Sequence, residues 1–181
     1  MKKYKIYSET TSYYYSTVSI TAWLPIFQDE SYFKIIIDSF KYCQENKGLY
    51  LLGYVIMPTH LHLITLNNDS TLLSEIMRDF KNYTSKEIRK QLEYDELFAF
   101  LNIFKKAAKN LPKQQYKVWQ DDYHPVALTS EKWFNQKMNY LHNNPVRKGF
   151  VELPECWKYS SARNWFNNDD SIIRIDKEFV S

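Results

Sequence analysis

Two apolar runs separated by a Pro-Thr pair constrain the fold of this chain more than any other feature. The first run, Leu49–Met57, is too apolar and too rich in strand-forming residues to lie at the surface. The second run, His60–Leu66, resumes directly after Pro58 and Thr59. Both runs have the length of a strand, so the sequence predicts two antiparallel strands of one sheet joined by a tight connection.

Helices and strands alternate around these two strands. Residues 13–23 are rich in Tyr, Thr, Val and Ile, which predicts a half-buried strand that Pro25 closes. From Ser31, apolar residues recur at i, i+3, i+4 and i+7, the pattern of an amphipathic helix, and Gly48 is placed to end it.

The rest of the chain extends this α+β pattern. A second amphipathic helix is predicted from near Ser70 to Leu92, followed by helix ends and loop and then by short extended pieces at 118–119 and 125–128. Ser130 then caps a last helix that runs to about Asn143. The order predicts an α+β sandwich of the split-βαβ kind, with helices on one face of a mainly antiparallel sheet. At 181 residues, one domain over 1–181 is expected.

Positive charge is more telling locally than overall, because the net charge is only +3. Between Ile103 and Val118 there are five lysines and no acid, and a basic pair follows the last helix. Such residues contact nucleic-acid phosphates, although a solvated surface explains a lysine run equally well. The DNA-binding candidates are Lys105, Lys106, Lys109, Lys113, Lys117, Lys137, Arg147 and Lys148.

The two cysteines and the hydropathy pattern bear on location. Cys43 and Cys156 form no CxxC pair, which fits a reducing compartment. No stretch approaches the roughly 20 apolar residues that span a bilayer. A cytoplasmic protein with no membrane partner is therefore expected.

The pair His60 and His62 is the first candidate site. Side chains at i and i+2 of a strand project from the same face, so the two rings are neighbours and can hold one metal ion. Chance alternation in a strand is the competing interpretation. The sequence offers no third histidine nearby, so a closed structural zinc site is not expected.

The second candidate lies on the last predicted helix. Its core row consists of Phe134, Met138 and Leu141, whereas Tyr140 projects well away from that row. Asn144 falls on the same face as Tyr140, one turn later, and Lys137 is close to it. Asn144 can supply a metal with a third ligand through its side-chain carbonyl. A partly buried tyrosine before a helix-ending Asn-Pro is the alternative.

Tyr83 competes with Tyr140 as a nucleophile. It lies beside the apolar row of the second helix, next to Phe80 and Thr84, so core packing explains it adequately. Tyr140 is therefore the preferred candidate.

Several motifs together resemble a known family. The run YVIMPTHLHLI, at 54–64, resembles the histidine–hydrophobic–histidine strand of the IS200-like tyrosine transposases. The pieces Trp119-Gln120, YLHNNPVRKG at 140–149 and WKYSS at 157–161 are similar to the REP-associated branch of that family. The resemblance covers roughly residues 12–165 as a core, which leaves 166–181 as a C-terminal tail.

The resemblance implies a fold and a chemistry. It implies a ferredoxin-like α+β sandwich, a metal site formed by His60, His62 and Asn144, and nucleophilic attack by Tyr140 on single-stranded or hairpin DNA. The product would be a 5′-phosphotyrosine link, formed with Mg²⁺ or Mn²⁺ as cofactor. Members occur as monomers and dimers, so a homodimer is one expected assembly.

Three other functions stay open at this point. A metal-dependent hydrolase of small molecules would need a further acidic or histidine ligand and would make no use of Tyr140. A domesticated hairpin-binding protein would keep the motifs without cleavage. A generic scaffold would leave the joint occurrence of the motifs unexplained. The segment at about 91–115 is longer than compact members of the family require, which predicts a DNA-binding insertion or a dimer contact there.

Overall fold

The structure is a computed structural model, and it describes residues 4, 13–68, 71–111, 114–121 and 123–180. The strands are β1 Tyr13–Ser19, β2 Leu49–Met57, β3 His60–Asn67 and β4 Val126–Leu128. The helices are α1 Glu30–Lys47, α2 Leu73–Tyr94, α3 Phe98–Ala107, α4 Glu131–Arg147 and α5 Ala162–Asn167. Short 3-10 turns cover Thr21–Trp23, Pro154–Cys156 and Lys177–Phe179.

The predicted hairpin and the first two long helices are confirmed. β2 and β3 pair antiparallel along their whole length across the Pro58-Thr59 connection. α1 ends at Gly48, whose φ of 68° lies in the left-handed region that a glycine adopts without steric cost. α2 begins at Leu73, while the expected start at Ser70 lies outside the described residues.

The sheet has the ferredoxin-like arrangement. Its strand order is β2-β3-β1-β4, and every neighbouring pair is antiparallel. β1 and β2 both pair with β3, so they run parallel to each other with β3 between them, which is a split βαβ unit. In the β1–β3 register, Thr17 lies opposite His62 and Ser19 lies opposite His60.

Helices cover both faces of the sheet, which corrects the expectation of one covered face. α4 lies on the face that carries Tyr13 and Gly53, since Tyr13 packs against Phe134 with ring centroids 5.4 Å apart and a Cβ on Gly53 would meet Met138. The opposite face is as deeply buried, so it needs a second layer, which α1 and α2 form by packing on each other. Consecutive residues of β2 and β3 are apolar, so apolar side chains project from both faces of the sheet. Each face must therefore be covered by helices.

Three local expectations about element bounds were wrong. β1 ends at Ser19 instead of continuing to Trp23, because the chain turns into the 3-10 segment. The stretch after Leu92, where helix ends and loop were expected, contains a separate helix, α3, whose Leu101 and Phe104 are buried. α4 continues through Pro145 to Arg147, so the proline lies in the last turn of the helix.

The C-terminal segment closes the outer edge of β2. Its backbone at Tyr159 and Ser161 hydrogen-bonds to Ile56 and Tyr54, and Asp176 bonds both to the backbone N–H and to the carbonyl of Leu51. Ile173, Ile175 and Val180 are buried. This cover leaves no open β2 edge along these residues. Within the described residues, none of the helices has the length and apolar character needed to cross a bilayer.

Candidate metal and tyrosine site

The two histidines lie at the end of β3 next to the hairpin connection. His62 is buried, His60 is partly buried, and both project to the face of the sheet that α4 covers. Their Nε2 atoms are 3.2 Å apart, and the ring centroids are 4.7 Å apart. The prediction that the two rings are neighbours is confirmed.

Each histidine is oriented through its other nitrogen. The Nδ1 of His60 lies 2.9 Å from the hydroxyl of Thr59. The Nδ1 of His62 lies 2.9 Å from the hydroxyl of Thr17 and 2.8 Å from that of Tyr15. Hydroxyl oxygens can accept from both Nδ1–H groups, which leaves a lone pair on each Nε2. Such partners on the far nitrogen fix the tautomer and the ring orientation of metal-binding histidines.

The surroundings keep both imidazoles neutral. Burial, followed by the charge of Lys148, lowers the pKa of His60 to about 4. Burial, followed by the charges of His60 and Lys137, lowers the pKa of His62 to about 3. A neutral imidazole is the form that ligates a metal, so neither ring needs to lose a proton at neutral pH.

The spacing of the ring nitrogens fits one shared ion. Two nitrogens bound to the same ion at about 2.1 Å lie about 3.0–3.4 Å apart, depending on the angle between the bonds. The observed 3.2 Å between the Nε2 atoms falls in that range. No group of three His, Cys, Asp or Glu side chains that could hold a metal occurs among the described residues, so further ligands must come from other groups.

α4 places Tyr140 beside this pair. The helix begins at Ser130, whose hydroxyl accepts a hydrogen bond from the backbone N–H of Trp133, and its predicted core row, Phe134, Met138 and Leu141, is fully buried. The Tyr140 side chain is 38% exposed, and its ring centroid lies 5.4 Å from that of His62. The phenol is therefore both accessible to a ligand and adjacent to the histidines.

Asn144 stays one turn after Tyr140 because the helix does not end before Pro145. The prolyl ring lacks an N–H, but Lys148 donates its backbone N–H to Asn144 and Gly149 donates to Val146, so the last turn is closed. The Asn144 side chain is buried, and its Oδ1 has no hydrogen-bond partner among the described residues. A buried acceptor without a donor is rare, and a divalent cation would satisfy it. The donor set therefore fits a metal held by two imidazoles and one amide oxygen.

Two positive side chains flank the candidate nucleophile, and a third lies near His60. The Lys137 Nζ lies 4.5 Å from the ring centroid of Tyr15 and 6.0 Å from that of Tyr140. The Arg147 Cζ lies 5.4 Å from the Tyr140 centroid, and Lys148 is close enough to His60 to lower its pKa. A phosphate at the histidine pair would lie among these charges.

The lysines of the 103–118 stretch lie on and after α3, which packs against α2 and against the turn at Thr21–Trp23. Lys105, Lys106 and Lys109 are exposed on and after α3, Lys117 forms an ion pair with Asp121, and Lys113 lies outside the described residues. A cavity of about 650 Å³ separates α2 from the segment after α3. Lys117 is the predicted lysine in its lining. Three further basic residues that were not predicted to bind DNA also line it, namely Lys81, Lys86 and Arg89.

Tyr83 and His142 both lie outside the candidate site. Tyr83 was expected to pack beside the core row of α2, but its side chain is 53% exposed, because the core row turns away from it. α2 also belongs to the layer on the other face of the sheet from the histidines. His142 faces into the core, where its Nε2 lies 2.9 Å from the hydroxyl of Ser161, so it has a structural role.

Tyr15, Thr17 and Trp23 also contact the histidines, although none of them was predicted as a site residue. Tyr15 and Thr17 alternate on β1 with the same period of two as the histidines on β3, and this period was the available signal. Trp23 carries no sequence signal, because it reaches His60 only through the turn after β1.

Three comparisons relate this chain to known proteins. The sequence model of the family described as "Transposase IS200 like" matches residues 10–144, a range that contains all four residues of the candidate site. A Haemophilus influenzae protein assigned as a REP-associated tyrosine transposase is 23% identical over 156 residues, which cover 76% of this chain and 78% of that protein.

The third comparison is structural. The solved structure of a REP-associated tyrosine transposase bound to a REP hairpin matches with a TM-score of 0.57 and 17% identity, over 97% of this chain and 90% of that one. At this identity, the likeness establishes the fold.

Proposed function

Because this chain belongs to the IS200-like transposase family, we propose that it is a metal-dependent endonuclease and strand transferase for single-stranded DNA, with Tyr140 as nucleophile. One observation carries the proposal: the exposed Tyr140 ring lies 5.4 Å from His62, whose Nε2 faces that of His60 at 3.2 Å. A tyrosine, two neutral imidazoles and a flanking arginine and lysine are the groups that phosphodiester transfer requires.

The metal would be held by His60, His62 and Asn144. The unpartnered Oδ1 of Asn144 and the facing Nε2 atoms support this ligand set. Mg²⁺ and Mn²⁺ are the proposed ions, since a mixed set of nitrogen and oxygen ligands suits Mn²⁺ and phosphate oxygens complete the shell of Mg²⁺. When bound, the ion would polarise the scissile phosphate and stabilise the charge that develops on it.

The protein residues would carry the covalent step. The Tyr140 oxygen would attack phosphorus, forming the O–P bond while the bond from phosphorus to the 3′ oxygen of the preceding nucleotide breaks. The phenol proton would pass to solvent, and the departing oxygen would take up a proton to become a 3′-hydroxyl. Lys137 and Arg147 would neutralise the phosphate during this exchange.

The product would be a 5′-phosphotyrosine that keeps the energy of the phosphodiester bond. Attack by a second 3′-hydroxyl would then restore a phosphodiester and release Tyr140 without ATP. This reversibility is why a tyrosine nucleophile suits strand transfer better than an activated water.

The proposed substrate is single-stranded DNA with a hairpin. The fold is shared with a transposase that was solved bound to a REP hairpin, and that protein's ligand supports the proposal. The exposed Lys105, Lys106 and Lys109 are further contacts proposed for the DNA backbone. The same comparison favours a second candidate function, in which the chain binds a hairpin without cleaving it.

The test is to capture the covalent intermediate. Purified protein would be mixed with single-stranded oligonucleotides from both genomic flanks of its gene, with Mg²⁺, Mn²⁺ or chelator. Denaturing gels and intact mass would report any adduct, and peptide mapping would identify the modified residue. A metal-dependent adduct on Tyr140 is expected.

Other outcomes would change the proposal in defined ways. An adduct on Tyr83 would keep the enzyme class and overturn the site. Hairpin binding with no adduct under any metal condition would favour the binding protein. Small-molecule hydrolysis that persists in a Tyr140→Phe protein would favour the hydrolase, for which the described residues offer no third His, Cys, Asp or Glu ligand.

A further inference from the structure

The turn after β1 holds a tryptophan at the far end of the candidate site. Trp23 is 53% exposed, and its ring centroid lies 5.5 Å from that of His60, at an interplanar angle of 72°. The core does not account for this side chain, because half of it is open to solvent. A large ring that is exposed beside a catalytic centre is available to a ligand.

The backbone that presents this ring is in a costly conformation. Ala22 has φ 57° and Trp23 has φ 53°, so two consecutive residues with a Cβ lie in the left-handed region. The turn is held by its flanks: Ile20 donates its N–H to the carbonyl of Thr59, and Thr21 donates to that of Val118. Strain that is enforced by surrounding hydrogen bonds is characteristic of functional positions.

Trp23 and Tyr140 lie on opposite sides of the histidine pair. Tyr140 contacts His62 at 5.4 Å and Tyr15 at 6.4 Å between ring centroids, near the start of β1. Trp23 contacts His60 just beyond the end of β1. Because β1 and β3 run antiparallel in register, the order along the site is Tyr140, His62, His60 and Trp23.

This order has a consequence for a phosphate seated at the histidines. In an in-line displacement, the attacking oxygen and the departing oxygen lie on opposite sides of phosphorus. If Tyr140 attacks from the His62 side, the departing 3′ oxygen and its nucleotide lie on the His60 side. The base of that nucleotide is then the one nearest to Trp23.

An aromatic cleft lies beside the segment that follows Trp23 and beside the hairpin connection. The cleft has a volume of about 650 Å³, and it includes Pro25, two residues after Trp23, and Pro58 of the hairpin connection that precedes His60. Rings in its lining include Phe27, Trp157 and Tyr159. The chain upstream of the cleaved bond therefore has a further apolar surface on which to continue.

We propose that Trp23 is the stacking platform for the base of the nucleotide that departs with the 3′-hydroxyl, immediately 5′ of the cleaved bond. The inference rests on the proposed function. Aromatic stacking tolerates every base, so Trp23 positions the substrate without selecting a sequence. The rigid, strained turn keeps the ring in place before DNA binds, which lowers the ordering cost of binding.

The experiment is a double-mutant cycle that combines removal of the Trp23 ring with removal of one base from the oligonucleotide. Affinities would be measured in a Tyr140→Phe background, so that cleavage does not interfere, for the tightest-binding flank oligonucleotide and for a series with one abasic site at each position. With Trp23 present, an abasic site just 5′ of the bond is expected to weaken binding by about 10-fold. With Trp23→Gly, binding is weaker by a similar factor, and the same abasic site has no further effect.

The variants separate stacking from folding. Glycine adopts the left-handed backbone of position 23 more easily than tryptophan, so Trp23→Gly is expected to fold at least as stably. Trp23→Phe should keep most of the coupling, which is the extra loss of affinity that the abasic site causes when an aromatic ring is present at position 23. Trp133→Ala is the matched control, because that ring is 49% exposed but lies on the first turn of α4, away from the position tested, so its coupling to the abasic site should be unchanged.

The cleaved bond is mapped first with the active protein, because the predicted nucleotide is defined by that bond. Coupling at this nucleotide supports the inference, whereas an adduct together with coupling elsewhere overturns the inference and leaves the nuclease function standing. The absence of any adduct overturns the nuclease function and, with it, the assignment of Trp23 to the departing nucleotide. Equal losses with and without Trp23 at every position would overturn it, as would coupling only to a nucleotide on the 3′ side of the bond. Failure to bind any flank oligonucleotide would remove both proposals.

Discussion

α2 and α4 are both long helices that bury one apolar row and expose a tyrosine, but they treat their buried polar groups differently. On α2, the buried Thr84 hydroxyl donates to the carbonyl of Phe80 and accepts from the indole N–H of Trp119. On α4, the buried Asn144 Oδ1 has no partner among the described residues. The buried Thr84 hydroxyl on α2 is satisfied within the fold, whereas the Asn144 amide oxygen on α4 is not.

This difference shows which features identify a site. Positive charge and exposed tyrosines occur in both regions, since Tyr83 is 53% exposed and Lys86 lies on α2. Only the α4 region adds neutral imidazoles and an unsatisfied buried acceptor to them. α2 also has a buried atom without a hydrogen-bond partner, the Nε of Arg89, which lies 3.6 Å from the Glu93 carboxylate. The combination of an unsatisfied oxygen with two neutral imidazoles, and not an unsatisfied atom alone, therefore distinguishes the α4 region.

The largest expected effect separates the two tyrosines. Tyr140→Phe removes the attacking oxygen and should reduce the yield of covalent protein–DNA adduct by at least about 10³-fold. Tyr83→Phe is the matched change on α2 and should leave the yield within twofold. Adduct yield on denaturing gels measures both. Equal yields for the two variants would break the distinction between the helices.

The second prediction concerns acid stability of the site face. The folded-state pKa values of His60 and His62 are about 4 and 3, below the value of about 6.5 for an unfolded histidine. Between these values the unfolded chain binds more protons, so the free energy of unfolding falls as pH decreases below about 6.5. Near pH 5, unfolding of the chelator-treated protein should take up about two protons from this pair.

Urea midpoints measured from pH 7 to pH 5 would test this. A variant with glutamine at both histidine positions should lose most of the dependence, because glutamine does not titrate. A dependence of the same size in that variant would show that the acid sensitivity arises elsewhere in the fold.

The third prediction compares the two groups of basic residues. Replacing Lys105, Lys106 and Lys109 by alanine should weaken DNA binding by about 10-fold and lower the salt dependence by about two, at roughly 0.7 per lost contact to single-stranded DNA. The cleavage rate at saturating DNA should not change, since these lysines lie on and after α3 and not on α4, which carries Tyr140.

Replacing Arg147 by alanine should instead slow cleavage while changing DNA affinity less. Its guanidinium lies beside the Tyr140 ring, so the rate at saturating DNA should fall more than the affinity. Binding titrations at several salt concentrations, together with single-turnover rates, would separate the two effects. A slower rate in the triple lysine variant would contradict the assignment of those residues to binding alone.

Most of the fold could be predicted from the sequence because its signals are local. The apolar period of α1, the glycine at its end and the two runs around Pro58 each specify one element. The neighbouring rings of His60 and His62 follow from the period of a strand. These predictions need no knowledge of how distant segments pack.

What could not be predicted depends on tertiary contacts. The continuation of α4 through Pro145 requires the hydrogen bonds of Lys148 and Gly149, which no propensity contains. The sequence does not show that both faces of the sheet are covered, because this depends on which face α4 packs against. The approach of Trp23 to His60 depends on a strained turn anchored by Thr59. Sequence pattern alone therefore finds the neighbouring histidines but not the groups that orient them.

The smallest effect contrasts two buried asparagines. Asn164 is satisfied, since its Nδ2 donates to Asp170 and to the carbonyl of Ile173, so Asn164→Leu should destabilise the fold by about 1–3 kcal/mol. Asn144 Oδ1 lacks a partner, so Asn144→Leu should leave the metal-free protein equally stable or stabilise it by about 1 kcal/mol, which raises its melting temperature by about 2–4 °C.

The same Asn144→Leu change should remove most of the stabilisation that Mn²⁺ confers on the protein with Asn144, because a ligand is lost. Melting temperatures with chelator and with a series of Mn²⁺ concentrations would measure both effects. A variant that is destabilised without metal, yet is stabilised by Mn²⁺ to the original extent, would show that Asn144 belongs to the fold and not to the metal site. A variant that is at least as stable without metal, but that Mn²⁺ no longer stabilises, would mean that Asn144 serves metal binding at a cost in the stability of the metal-free fold.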